Sequence, residues 1–64
     1  MTHVEASVIG DLLKLALHMS VNVQHEQVTG WVVVVYYPGG ALFRTVRTHM
    51  DAITLIRNFE RAQA

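Results

Sequence analysis

An α+β fold with element order α-β-β-β-α, a three-stranded antiparallel meander packed with two helices, is what this 64-residue chain predicts. Three observations predict it. Trp31-Val-Val-Val-Val-Tyr-Tyr37 is an unbroken run of β-branched and aromatic residues, the types that suit a pleated, buried surface. Tyr37-Pro-Gly-Gly-Ala41 is a tight-turn signal directly after it, with proline presetting φ and glycine supplying positive φ. Apolar residues at helical spacing lie both before and after the strand region.

From Ser7 to Met19 the pattern is that of a helix, with residues 1–6 as a lead-in. Ser7, Asp11, Lys14 and His18 recur at i, i+4, i+7 and i+11 and form one polar stripe, and Ser7 is a suitable N-cap. Val8, Ile9, Leu12, Leu13, Leu15, Ala16, Leu17 and Met19 fill the remainder, an arc of roughly 200° on a helical wheel. A helix lying on a sheet needs an apolar stripe of little more than about 100°. The excess predicts that something further packs against this helix.

Ser20 to Gln27 alternates, with Val21, Val23 and His25 on one side and Asn22, Gln24 and Glu26 on the other, as in a half-buried edge strand. A buried His25 would need a hydrogen-bond partner and would make assembly pH-sensitive. Val28-Thr29-Gly30 turns the chain into the central strand. There Trp31, Val33, Val35 and Tyr37 point one way and Val32, Val34 and Tyr36 the other, so both faces are apolar and each needs a cover. A third strand runs from Ala41 to Arg47, with Phe43, like Trp31, read as core. Thr48 caps the last helix, and Asp51 three residues on gives a partial capping box, whose usual residue is Glu or Gln. Ala52, Ile53, Leu55, Ile56, Phe59 and Ala62 form its apolar face, and Asp51, Thr54, Arg57, Asn58 and Arg61 its polar one.

One small domain over 1–64 is the expected organisation, near the lower size limit for a self-sufficient core. The composition is 52% hydrophobic and 16% charged, and there are no cysteines to form disulfides. Oligomerisation is the remaining common support for so small a chain, so a homodimer is expected. The formal net charge is zero, which removes any strong global attraction to nucleic acid or an anionic membrane. Acidic residues gather in the first half (Glu5, Asp11, Glu26) and arginines in the second (Arg44, Arg47, Arg57, Arg61). No signal sequence and no apolar run of about 18 residues is present, so a soluble, cytoplasmic protein without membrane contact is expected.

The inventory for chemistry is short. There are two serines, no G-x-S-x-G, no phosphate loop, and five carboxylates, so no enzyme is expected. His3, His18, His25 and His49 form no i, i+4 pair that would set two imidazoles on one ion, and neither metal nor cofactor is expected. Double-stranded-RNA-binding domains share this element order, but their last helix opens on a lysine-rich phosphate clamp. Thr48-His-Met-Asp-Ala52 has no lysine and one acid, so the resemblance ends at element order.

The expected function is therefore a non-catalytic protein-interaction module, an adaptor or small inhibitor that docks on a larger protein. Small inhibitors of that kind are often carried by phages and other mobile elements. Its expected interface comprises Trp31, Val33, Val35, Tyr36 and Tyr37 on the central strand with Leu13 and Leu17 on the first helix. Tyrosine and tryptophan are favoured anchors because they combine apolar area with a polar tip. The alternative is a small nucleic-acid-binding regulator using Arg44, Arg47, Arg57 and Arg61, with a β-hairpin laid in a groove.

Overall fold

A computed structural model describes residues 1–63. The elements are α1 (His3–Leu17), β1 (Ser20–Glu26), β2 (Gly30–Tyr36), β3 (Phe43–Val46) and α2 (His49–Gln63). This is the α-β-β-β-α order, with an antiparallel sheet β1-β2-β3 and the valine strand in the centre.

The first helix begins earlier than its apolar pattern implied. Thr2, not Ser7, is the N-cap, and with Glu5 it forms a complete capping box. The Glu5 amide donates to Thr2 Oγ1 at 3.2 Å and the Thr2 amide donates to Glu5 Oε1 at 2.9 Å. Two of the helix's otherwise unpaired N–H groups are satisfied in this way, which draws residues 3–6 into the helix. The helix ends at Leu17. His18 takes a left-handed conformation (φ 55°) and its amide closes on the Lys14 carbonyl at 3.0 Å.

The turn after β2 uses both glycines at positive φ, Gly39 at 95° and Gly40 at 75°. The Gly40 amide donates to the Tyr37 carbonyl at 3.1 Å, and the Tyr37 amide to the Leu42 carbonyl at 3.0 Å. The resulting register sets Phe43 opposite Tyr36 and Val46 opposite Val33. Strand β3 is shorter than the Ala41–Arg47 expectation. α2 starts as expected at Thr48, whose hydroxyl accepts from the Asp51 amide at 3.1 Å. The Asp51 carboxylate reaches the Arg47 amide at 3.2 Å, one residue before the position a capping box would use.

Both helices lie on one face of the sheet. The core joins Ala6, Leu13 and Leu17 of α1 to Val33 and Val35 of β2, Val46 of β3, and Ala52 and Leu55 of α2. α1 crosses β1 and β2, and α2 lies beside it towards β3. The helices run parallel: His49 Nε2 lies 3.4 Å from Glu5 Oε2 at their starts, and Leu17 and Phe59 border one depression at their ends.

Gly10 explains which side of α1 docks. An added Cβ there would meet methyl groups of Val23, Val21 and Val33 at 3.5–3.8 Å, so the helix backbone lies close to the sheet. Ala6, Gly10, Leu13 and Leu17 share that side at i, i+4, i+7 and i+11, and all four are buried.

Candidate interaction surface

The opposite side of α1 carries the apolar surplus. Val4, Val8, Leu12 and Leu15 fall within about 80° of one another on the helix. Their exposures are 71%, 62%, 49% and 74%. Ile53 (44%) and Met50 (66%) add exposed apolar area on α2. The four α1 side chains present on the order of 400 Å² of apolar surface, comparable to the largest patch on a typical monomer. Asp11 and Lys14 flank this ridge on one side and the Glu5–His49 pair on the other.

This corrects the interface expected from sequence. Leu13 and Leu17 are 0% and 2% exposed, and Val33 and Val35 are both at 0%. All four are interior and cannot meet a partner while the fold is intact. The wide apolar arc of α1 had two edges, and the small residues Ala6 and Gly10 decided which one turned inward. The signal was the spacing of those two residues, four apart in line with Leu13 and Leu17.

The three aromatic residues of that expected interface separate. Trp31 is half-buried under α1's start, with the His3 ring edge-on at 4.5 Å and the His25 ring at 5.2 Å. His25 lies on the helix side of the sheet, as its alternation predicts, but at the end of the strand it is exposed rather than buried. Tyr37 is half-buried and borders a depression with Leu17, Met19 and Phe59 at the far end of the helices. Tyr36 is half-buried on the open face of the sheet, its ring 6.3 Å from Phe43. Phe43 is 65% exposed rather than core, because the turn's register places it on that open face.

No helix covers the open face, yet Val32 and Val34 are only 1% and 5% exposed. Polar side chains close over them. Arg47 Nε donates to Glu26 Oε1 at 3.1 Å, joining the end of β3 to the end of β1 across β2 at the level of Val32. Thr29 Oγ1 holds the same carboxylate oxygen at 2.6 Å. That hydroxyl first and the Arg47 guanidinium second hold the Glu26 carboxyl below its ordinary value. Further along, the Gln24 side-chain amide reaches Tyr36 Oη at 3.4 Å. The aliphatic stems of these residues lie over the valines while their heads stay in water. The second face of the valine strand therefore needs no partner.

The four arginines do not form one footprint. Arg47 is tied to Glu26 on the open face, and Arg57 and Arg61 project from the exposed side of α2. Arg44 faces a shallow depression of 250 Å³ shared with Asp51, Thr54 and Asn58. Among the described residues no three His, Asp or Glu side chains converge as a metal site requires. No helix among them is long and apolar enough to cross a membrane. In comparisons with known proteins, this chain matches no family model, no curated protein and no solved structure.

Proposed function

We propose that this chain is a non-catalytic protein-interaction module of the cytoplasm, an adaptor or small inhibitor that acts as a homodimer and docks on a larger protein. The observation that carries this reading is the α1 ridge of Val4, Val8, Leu12 and Leu15, left bare by a helix whose other side already fills the core. Leaving several such side chains wet forfeits about 1.5–3 kcal/mol for each that a partner would fully bury. The ridge supplies about half the ~800 Å² that one side of a standard interface contributes. Its polar flanks, Asp11, Lys14 and Glu5, are placed as an interface rim would be.

Val8→Glu with Leu15→Glu is the test. Proteins retained by the immobilised wild type and released by this variant, with unchanged far-ultraviolet circular dichroism, support the reading. Identical retention by both rules out the ridge.

The alternative, a nucleic-acid-binding regulator, calls on arginines that point in different directions. Salt-sensitive retention on heparin or duplex DNA that is lost on replacing Arg57 and Arg61 would restore it.

A further inference from the structure

We infer that a second copy of this chain pairs with the free edge of β1, joining two sheets into one of six strands. The inference rests on the homodimer in the reading above and assigns its contact to a surface other than the α1 ridge. The direction of the backbone groups comes first. The amides of Trp31 and Tyr37 bond to Met1 and Leu42, away from β1. Odd-numbered residues of β2 thus turn their hydrogen bonds away from β1 and even-numbered ones towards it. The register pairs Val32, Val34 and Tyr36 with Gln24, Asn22 and Ser20, which use their backbone groups inward. Val21, Val23 and His25 are left with amide and carbonyl groups on the outer edge, and among the described residues nothing pairs with them.

This edge has few of the usual protections, its one carboxylate, Glu26, standing at the end of the strand. Its seven residues, Ser-Val-Asn-Val-Gln-His-Glu, include no proline, lysine or glycine, and the one-to-one register shows no bulge. The other edge, β3, is four residues long and carries Arg44.

An antiparallel copy centred on Val23 is complementary to this edge. Val23 faces Val23 of the other copy, and Val21 faces its His25, each pair exchanging two backbone bonds, about six in all. Asn22 faces Gln24 of the other copy, and Ser20 faces Glu26, so no like charges meet. A one-residue slip of one strand against the other turns the donors away, and moving the centre to Asn22 or Gln24 leaves two facing pairs, about four bonds, in place of three.

The helices agree with the same dyad. Gly10 packs on Val23, so the axis passes beside the middle of α1. Strands about 4.8 Å apart, with α1 above β1 and β2, bring the two copies of α1 to about 10 Å, a normal packing distance. The flanks that meet are the stripes Ser7, Asp11, Lys14 and His18, on the side of α1 away from α2. The two bare ridges then sit side by side, doubling the docking surface.

The test is molar mass by light scattering across a dilution series, on wild type, Asn22→Lys/Gln24→Lys and Asn22→Lys/Gln24→Glu. Both positions are exposed, so the fold tolerates them, and circular dichroism checks this. The inference requires a wild-type dimer of the 7.2 kDa chain. The double lysine variant sets cations opposite one another and is expected to weaken dimerisation at least tenfold, and the lysine–glutamate variant to restore it. A wild type that stays monomeric overturns the pairing and leaves the ridge to its own capture test. A dimer indifferent to these substitutions but dissolved by Val8→Glu/Leu15→Glu also overturns it, because the contact would then be the ridge.

Discussion

Gly10 and Gly30 are both glycines in regular elements, and their surroundings predict opposite outcomes on substitution. At Gly10 a Cβ would meet neighbours at 3.5 Å or more, an ordinary contact distance, and the backbone is helical. Gly10→Ala is therefore expected to raise stability by about 0.5–1 kcal/mol through helix propensity, read as a higher urea midpoint. Gly30 has φ +76° and the Met1 carbonyl 3.3 Å from where a Cβ would stand. Gly30→Ala is expected to cost about 1 kcal/mol or more. The carboxylates give a pH dependence. Glu5, held chiefly by the Thr2 amide, and Glu26, held chiefly by the Thr29 hydroxyl, are both lowered from 4.5. Each contributes stability that is whole above that value and is lost as pH falls through the lowered one. Urea midpoints should be level near neutrality and decline below about pH 4.5, and Glu26→Gln should flatten part of the decline.

The first helix separates what a pattern can tell from what packing decides. Leu13 and Leu15 are two residues apart, one at 0% and the other at 74% exposure. Leu13→Ala is expected to cost about 2–5 kcal/mol and Leu15→Ala to stay within about 0.5 kcal/mol, both measured by chemical denaturation. Sequence alone made the strand order, the Pro38–Gly40 turn, the Thr48 cap and the Ala52, Leu55, Ile56 and Phe59 part of the buried face of α2 legible, because each depends on neighbours in the chain; Ile53 and Ala62, expected on that face, are exposed. The docking side of α1 was not legible, since eight apolar residues offered two solutions and only the close approach at Gly10 chose between them. The start of the helix is marked by Thr2 and Glu5, a capping box that lies outside the stretch of apolar periodicity. Phe43 moved to the open face because two positive-φ glycines, rather than one, set the register. That the strand's second face needs no partner is invisible to periodicity: Glu26 and Arg47 are 21 residues apart and meet only across the finished sheet.

At the scale of the whole molecule the layers are lopsided, two helices on one side and a belt of polar side chains on the other. The outer side of α1 accordingly carries four exposed apolar side chains in one row, while Val28, Leu42 and Phe43 are exposed singly at the turns and on β3. Val8→Glu/Leu15→Glu should leave the unfolding free energy from urea titration within about 0.5 kcal/mol of wild type while raising the concentration at which the protein aggregates in a solubility titration. That separation of solubility from stability is what a bare ridge on a complete core implies, and a large loss of stability would show the ridge to be structural. A further consequence follows from the bond between the Trp31 amide and the Met1 carbonyl. Trp31 is the sole indole, seated where the first residues meet the sheet, so intrinsic fluorescence is a private optical probe of that corner. Appending a tag to the amino terminus should redden the emission locally while circular dichroism stays put, a warning to anyone immobilising the protein from that end.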